Sequence, residues 1–201
     1  MSATTVELFY AILAVAAMIT IAALAVLRLL ALVSDAARER YDDVAATIAP
    51  HALSLAWFVA LLATTGSLYF SEIAGFTPCT LCWYQRIAMY PLVVILAIGA
   101  ARRERAAAWY AGALAGIGAV ISAYHVALEW IPSLDTGACA ASTPCTLVWF
   151  RMLGFISLPT LALTAFLLIL TLLIVRPSAA AMAATLDRHD PVEPDPARST
   201  P

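Results

Sequence analysis

The chain has 201 residues, of which 63% are hydrophobic and only 12% carry a charge, whereas about a quarter of the residues of an average soluble domain are charged. This composition is typical of a membrane protein and excludes an ordinary soluble domain. The formal net charge is −2, from 11 arginines, no lysine and 13 acidic residues. The sequence therefore offers no basic surface large enough for nucleic acid.

Five uncharged apolar stretches occur along the chain, and we expect each to cross the membrane. Four of them reach the length of about 20 residues that a transmembrane helix needs; they cover residues 8–27, 52–71, 106–128 and 152–175. The first stretch could instead be a cleaved signal peptide. Its flank carries Glu7 and no positive charge, however, and its apolar run is longer than that of a signal peptide, so we expect a retained helix.

The remaining apolar stretch is too short to span on its own. Residues 87–101 would form about 22 Å of helix against about 30 Å of hydrocarbon. Arginines within residues 102–105 block extension at one end, so we expect the span to extend backward through Arg86 towards Cys82. Arg86 would then lie at the membrane boundary. It would either snorkel to the headgroups or face the bundle and a bound polar headgroup, and the spacing favours neither.

The connecting segments and the helix interiors carry further signals. Residues 34–51 hold six charges and predict a solvated loop with a short helical piece. Residues 177–201 contain five prolines and few large apolar groups, which is typical of a disordered tail. Gly112 and Gly116 would permit close helix packing, and Pro159 would kink the last helix.

Cys79 and Cys82 form a C-x-x-C pair just before an apolar helix. Thr77 followed by Pro78 is typical of an N-cap and a first helical residue, which would place both sulfurs in the first turn. There the unpaired backbone N–H groups and the helix dipole favour a thiolate. Arg86, one turn after Cys82, would add a second stabilising charge. Disulfide exchange needs such a thiolate, although a structural disulfide or half of a zinc site is also compatible with the pair.

A second pair, Cys139 and Cys145, lies between the fourth and fifth stretches. The segment Thr143-Pro-Cys-Thr-Leu repeats Thr77-Pro-Cys-Thr-Leu, so we expect both cysteine segments to begin helices in the same way. Five residues between two cysteines is an unusual spacing for the second half of a zinc site. His125 lies near the end of the fourth stretch, where a histidine is more often interfacial than a ligand. It gains a role only if other groups converge on it.

The arginines alternate between the connections, and this alternation predicts the orientation. Arginines occur within residues 38–40, 102–105 and 176–188, whereas the cysteine-bearing connections have them only at their borders, at Arg86 and Arg151. The arginine-bearing connections should be cytoplasmic, so that the N-terminus and both cysteine pairs face outward. Disulfides persist in an oxidising exterior, which favours disulfides over metal thiolates there.

Taken together, these motifs resemble the bacterial DsbB/BdbC family of quinone-linked membrane thiol oxidases. The resemblance covers residues 53–175 and rests on C-x-x-C-W-Y-Q-R at 79–86, Tyr-His-x-x-Leu-Glu at 124–129, and Pro144-Cys145 followed by Gly154-Phe155-x-x-x-Pro159. It implies an all-α integral membrane four-helix bundle in the bacterial inner membrane, with two outward cysteine loops on the periplasmic side. It also implies a bound ubiquinone or menaquinone and a thioredoxin-fold partner of the DsbA type.

Two features depart from the family pattern and define the expected organisation. The first helix has no counterpart in the four-helix bundle, and the second cysteine pair is closely spaced, as in the BdbC branch. We therefore expect an extra transmembrane helix and cytoplasmic loop over residues 1–50, a DsbB-like four-helix core over residues 51–176, and a disordered cytoplasmic tail over residues 177–201. Membrane lipid surrounds the core.

The resemblance further implies a role for each cysteine. Cys139 corresponds to the sulfur that the partner attacks, and Cys145 to the sulfur then released to attack Cys79. Cys82 corresponds to the thiolate that faces the quinone.

The same resemblance implies the quinone contacts. Arg86 lies next to Cys82 and would also contact the quinone, and His125, near the outer membrane surface, would be a further neighbour. No metal site is expected.

The favoured hypothesis is therefore an oxidoreductase that reoxidises a secreted dithiol protein, passes the electrons to membrane quinone and so supports disulfide bond formation. A vitamin K epoxide reductase-like enzyme shares the four-helix, two-pair layout, but there the loop pair precedes the C-x-x-C pair in the chain. A non-enzymatic membrane protein with static disulfides is the alternative from another class. Treatment with mild dithiothreitol and then with quinone distinguishes an oxidoreductase from a protein with static disulfides. Only redox-active cysteine pairs are reduced by the first reagent and reoxidised by the second.

Overall fold

The computed structural model describes residues 3–137, 139, 143–178 and 181. Within these ranges the chain is helical, and the one β-bridge recorded there is isolated, between Met152 and Ile156. The helices are α1 (Ala3–Leu30), α2 (Asp35–Ile48), α3 (Ala52–Leu68), α4 (Thr80–Arg102), α5 (Ala107–Trp130) and α6 (Leu158–Ile174). Short 3₁₀ turns cover Ala49–His51 and Pro132–Leu134, and a π-helical turn covers Tyr69–Ile73. The predicted all-α membrane fold is confirmed.

Four helical segments of the described chain are long and apolar enough to cross a membrane: Thr4–Leu30, Asp35–Ile73, Thr80–Arg102 and Ala107–Trp130. The helix α6 is apolar too, but its 17 residues fall a little short of the length of about 20 that a span needs. The charged residues 34–51 do not form a loop with a short helical piece. They form the 14-residue helix α2, which continues through a 3₁₀ turn into α3.

The start of α4 determines where the first cysteine pair lies. The helix begins at Thr80 and so includes Arg86, as the length of the apolar stretch predicted. Its N-cap, however, is Cys79 and not the predicted Thr77. The Cys79 sulfur accepts a hydrogen bond from the backbone N–H of Cys82 at 3.3 Å, and it thereby takes the place of the oxygen that usually caps a first-turn donor.

The second Thr-Pro-Cys segment does not begin a helix, contrary to the prediction from its likeness to the first. Around Cys145 the chain makes a turn, in which the N–H of Leu147 donates to the carbonyl of Pro144 at 3.1 Å. Leu153 and Gly154 then have positive φ angles of 52° and 81°, which a helix cannot contain. The residues that the two segments share are therefore not sufficient to begin a helix.

The last helix is consequently shorter than the predicted span of residues 152–175. It begins at Leu158, and Pro159 lies in its first turn, where the missing N–H of proline costs no hydrogen bond. The predicted kink at Pro159 is therefore wrong.

Helices α3, α4, α5 and α6 form a four-helix ring in which each packs on two neighbours, while α1 lies outside the ring against α2 and α6. The beginning of the predicted tail is attached to α2, because the N–H and the hydroxyl of Ser178 both donate to the Asp42 carboxylate at 2.7 Å. Apart from residues 177, 178 and 181, the tail lies outside the described residues, and its predicted disorder stays a prediction.

Close packing within the bundle depends on a different glycine from those predicted. A Cβ built on Gly118 of α5 would approach the ring of the fully buried Phe166 to 2.2 Å. A Cβ on Gly112 or Gly116 meets no described residue within 4 Å. The prediction that Gly112 and Gly116 allow close packing is therefore wrong, and Gly118 serves that purpose between α5 and α6.

We expect Gly118→Ala to lower the free energy of unfolding by about 1–3 kcal/mol, because the new methyl group forces the Phe166 ring to move. The matched control is Gly116→Ala on the same helix, which should leave stability unchanged or raise it by up to about 1 kcal/mol through helix propensity. Unfolding of the purified protein in detergent measures both. Equal stability of the two variants would contradict the packing of α5 on α6.

Candidate redox site

The two cysteine pairs lie next to each other at one end of the bundle. Cys79 and Cys82, at the start of α4, are free thiols with their sulfur atoms 2.9 Å apart. Cys139 and Cys145, between α5 and α6, form a disulfide. Cys79 and Cys145 belong to one buried cluster with Leu128 of α5. Folding therefore brings the two pairs into a single site.

The four sulfurs differ in accessibility. Cys145 is 1% exposed and Cys79 is 7% exposed, whereas Cys139 and Cys82 are only partly buried. Each pair thus consists of one enclosed sulfur and one that can be approached. Cys79 and Cys145 are buried members of one cluster, and Cys82 and Cys139 pack against it.

His125 of α5 connects the two pairs. It is buried, and its Nε2 atom lies 3.7 Å from the sulfur of Cys79 and 3.1 Å from the backbone oxygen of Cys145. Its Nδ1 atom lies 3.4 Å from the amide nitrogen of Gln85. Since the amide of Gln85 donates to Nδ1, the imidazole proton is on Nε2, from which it can be donated to the carbonyl oxygen and to the sulfur. Groups therefore do converge on His125.

The hydrogen bonds around the first pair lower the pKa of Cys79 to about 4. The largest cause is the thiol of Cys82, which donates to the Cys79 sulfur; His125 and the backbone N–H of Cys82 add to the effect, and burial opposes it. The helix-start argument favoured a thiolate in the first turn without choosing between the two cysteines, and the family resemblance implied a thiolate on Cys82, next to Arg86. In the structure the donors surround Cys79 instead, because Cys79 is the N-cap.

Arg86 points into the bundle and does not snorkel. Its Nε and Nη2 atoms donate to the hydroxyl and to the backbone oxygen of Ser67 in α3, both at 3.0 Å, and its guanidinium carbon lies 5.2 Å from the centre of the Trp83 ring. Within the described residues Nη1 has no hydrogen-bond partner. Of the two interpretations that the spacing left open, the geometry favours an arginine that faces the bundle.

A cavity of about 460 Å³ adjoins Cys82 and Arg86, a volume within the range of ordinary ligand pockets. It lies between α1, α3, α4 and α6, and most of its wall is apolar. Its polar side chains are concentrated around Ser67, Cys82 and Arg86. Such a cavity suits a molecule with a small polar head and an apolar body.

His125 does not line this cavity. It lies instead in a small cleft that Cys79, Cys82 and Glu129 also line. Glu129 accepts a hydrogen bond from the hydroxyl of Ser157. The predicted contact of His125 with a quinone therefore finds no support in the cavity, whereas its contact with Cys79 is direct.

Two residues of the site had no role in the sequence interpretation. Gln85 could have been found, because a polar residue that is neither capping nor charged stands out on the apolar helix between Cys82 and Arg86. Ser67 could not, because it precedes Arg86 by 19 residues and an isolated serine in an apolar span carries no local signal.

The ligand atoms of Cys79, Cys82 and His125 all lie within 4.8 Å of one another. Zinc binds sulfur and imidazole ligands, but its structural sites use four protein ligands. In the part of the chain that the structure describes, this group has three. The expected absence of a metal stays a prediction.

We expect the thiolate ultraviolet absorbance of the protein with its first pair reduced to show a transition at about pH 4, from Cys79. Because the pKa is lowered, the thiolate persists from neutral pH down to about 4, and the stability that it lends to the reduced protein is lost as the pH falls through that value. His125→Ala should shift the transition upward, because a donor to the sulfur is removed.

Cys79→Ala is the control for this titration and should lack the transition. Cys139 and Cys145 do not contribute while they remain a disulfide. A midpoint near the ordinary thiol value of about 8.5 would contradict the hydrogen-bonding arrangement around Cys79.

Comparison with known proteins identifies the family. The family model for "Disulfide bond formation protein DsbB" matches residues 49–176, which is more than half of the chain. A probable disulfide formation protein C of Bacillus cereus is 46% identical over 120 residues, which are 59% of this chain and 86% of that protein. The corresponding protein of Halalkalibacterium halodurans is 47% identical over 123 residues, 60% of this chain and 90% of that protein.

A further relative is the disulfide bond formation protein C of Bacillus subtilis, which is 46% identical over 119 residues, 59% of this chain and 86% of that protein. No solved structure matches the chain significantly. The chain belongs to the DsbB family and is a membrane oxidoreductase of disulfide bond formation.

Proposed function

We propose that the protein reoxidises a secreted thioredoxin-fold dithiol protein of the DsbA type and passes the electrons to ubiquinone or menaquinone in the bacterial inner membrane. One observation carries this proposal. Cys82 lines both the cleft that holds His125 and the large apolar cavity next to Arg86. A thiol relay and a ligand cavity therefore meet at one cysteine pair.

The first exchange takes place at the second pair. A thiolate of the partner attacks Cys139, so that a mixed disulfide between the partner and Cys139 forms and Cys145 leaves as a thiolate. The accessibility of the sulfurs supports this direction of attack. Cys139 is partly exposed, whereas Cys145 is almost fully enclosed.

The electrons then move between the two pairs. The thiolate of Cys145 attacks Cys79 of the oxidised first pair, which forms a Cys79–Cys145 disulfide and releases Cys82. Meanwhile the second thiolate of the partner resolves the mixed disulfide and frees Cys139. Cys139 attacks Cys145, which restores the Cys139–Cys145 disulfide and releases Cys79. The partner has lost two electrons and the first pair has gained two.

The geometry around Cys79 supports this transfer. Cys79 and Cys145 share a buried cluster, and His125 contacts the sulfur of one and the backbone of the other. A sulfur with a lowered pKa is a good leaving group, and the pKa of Cys79 is lowered. The disulfide and thiol states of the structure are those that follow the transfer.

The cavity fits a quinone, which when bound would accept two electrons and two protons from the reduced first pair. Cys82 lines the cavity, and the Nη1 atom of Arg86 is available for a polar head group. Because Ser67 holds the guanidinium by two hydrogen bonds, its positive charge is already in place where negative charge would develop. The apolar wall suits the remainder of the molecule.

We also propose that both cysteine pairs face the periplasm. Arg102, Arg103 and Arg105 lie at the opposite end of α4 from Cys79, and arginine-rich connections stay in the cytoplasm. The start of the family match at residue 49 supports the division into an additional part over residues 1–50, a core over 51–176 and a tail over 177–201.

We expect Cys145→Ala to trap a mixed disulfide between Cys139 and the partner, because Cys145, the thiol that would displace the partner from Cys139, is missing. The species forms when the oxidised partner meets the lone thiol of Cys139, and non-reducing electrophoresis followed by mass spectrometry detects it. Cys139→Ala is the matched control and should trap little, since Cys145 is enclosed. No trapped species with Cys145→Ala, or equal trapping with both variants, would contradict the proposed order.

We expect Arg86→Met to slow quinone reduction by the reduced partner by about 100-fold, as the loss of a preorganised charge at a reacting centre does. Arg86→Lys should show a smaller defect, because it keeps the charge and loses the planar fork. Steady-state rates across a quinone titration measure both, with thermal stability recorded alongside.

Exchange between the partner and the Cys139–Cys145 disulfide is the internal control, because it needs no quinone and should stay normal in both variants. If Arg86→Met reduced quinone at the normal rate, Arg86 would serve only to attach α4 to Ser67, and its proposed role would be wrong.

A further inference from the structure

The helix α1 forms one wall of the apolar cavity. Its lining residues are Tyr10, Leu13, Ala14, Ala16, Ala17 and Thr20, most of which recur at the spacing of a single helix face. The facing wall is built from α3 and α6. Without α1 the cavity would be open between these two helices along one side.

Tyr10 attaches this wall to the core at the polar end of the cavity. Its hydroxyl donates to the backbone oxygen of Leu62 at 3.3 Å, and its ring occupies the space that a side chain on Gly66 would fill, since a Cβ there would lie 2.6 Å from the ring. Gly66 precedes Ser67, the residue that holds Arg86. Tyr10 therefore lies at about the same position along the cavity as the guanidinium of Arg86.

From Tyr10 towards Thr20, the wall formed by α1 extends away from Arg86 and Cys82. The ten helical steps from Tyr10 to Thr20 cover about 15 Å of helix. After Leu13, the lining residues of α1 are only alanines and a threonine, which leave room between α1 and the larger side chains of α3 and α6. The space is thus an apolar groove that leads from Arg86 and Cys82 into the membrane.

The matched relatives have no room for this wall. The aligned residues make up 86–90% of those proteins, so that too few residues remain for a counterpart of the 28-residue α1. The family match also begins at residue 49. The wall is therefore a feature of this chain that the shared core does not explain.

We propose that α1 and the bundle together enclose the isoprenoid tail of the quinone, and that Ala17 and Thr20 determine which tails are accepted. The proposal rests on the proposed function, because the head group is taken to lie at Cys82 and Arg86. The continuity of one cavity from these polar groups to Thr20 favours a single molecule with a head and a tail over a separate lipid chain.

The test compares quinones that share a head group and differ in tail length, one with a single isoprenoid unit and one with a long tail. We expect Ala17→Phe and Thr20→Phe to weaken binding of the long-tail quinone at least about tenfold, which corresponds to two buried methylene groups losing their contacts. Binding of the short-tail quinone should be unchanged. The readouts are the shift of the unfolding temperature on quinone addition and the amount of long-tail quinone retained through purification.

Ala22→Phe is the matched control, because Ala22 is an exposed residue of α1 that is not part of the cavity wall. It should bind both quinones as the unmodified protein does. Thr20 is itself exposed, so that Thr20→Phe keeps the test decisive if Ala17→Phe fails to fold.

Three other outcomes would show whether the inference about α1 alone is wrong or the proposed function is wrong as well. If the unmodified protein binds both quinones and the variants at Ala17 and Thr20 bind them equally well, α1 does not enclose the tail and the inference is wrong, while the proposed function stands. If these variants lose retained phospholipid and keep the long-tail quinone, the groove holds a lipid chain and the inference is wrong. If the unmodified protein binds neither quinone, the proposed function fails and the inference fails with it.

Discussion

The hydrogen bond from the backbone N–H of Cys82 to the sulfur of Cys79 is the interaction on which the site depends. It makes Cys79 the cap of α4 and places Cys82 within the first turn of the helix. The two sulfurs consequently face different surroundings. Cys79 lies against His125 and the segment of Cys145, whereas Cys82 reaches the apolar cavity. A pair joined by one short helical turn thus connects a thiol exchange site to a membrane cavity.

The position of Arg86 follows from the same helix start. Because α4 begins close to Cys79, Arg86 falls within the segment that spans the membrane, where an unpaired charge is expensive. Ser67 accepts two of its hydrogen bonds and lowers that cost. The guanidinium is thereby fixed at the polar end of an otherwise apolar cavity. A cation held in this way can serve a reaction that builds negative charge, and the same arrangement ties α4 to α3.

Much of this organisation could be predicted from local sequence. Apolar stretches of a set length predict the spans, and the shortness of residues 87–101 correctly extended α4 back past Arg86. The C-x-x-C pair followed by arginine pointed to the site itself. These features share one property: each depends on residues within a few helical turns of one another, so that helix geometry and membrane thickness are enough to interpret them.

The errors occurred where distant parts of the chain or a following segment decide the structure. The second Thr-Pro-Cys segment has the same first residues as the one before α4, but the residues that follow it differ, and the chain makes a turn there and begins no helix. Gly118 was missed because its importance comes from the ring of Phe166 in another helix. The contacts of His125 with Cys79 and Gln85 join α5 to α4 across 40 residues or more. No local sequence pattern predicts such contacts.

The order in which the two cysteine pairs are oxidised tests the central claim most directly. Fully reduced protein is mixed with quinone without oxygen, quenched with acid at increasing times, alkylated and examined by mass spectrometry. We expect the Cys79–Cys82 disulfide to form first and the Cys139–Cys145 disulfide to follow, because Cys82 borders the cavity and neither Cys139 nor Cys145 does. Oxidation of Cys139 and Cys145 before the first pair, or no disulfide formation with quinone, would contradict electron transfer through Cys82.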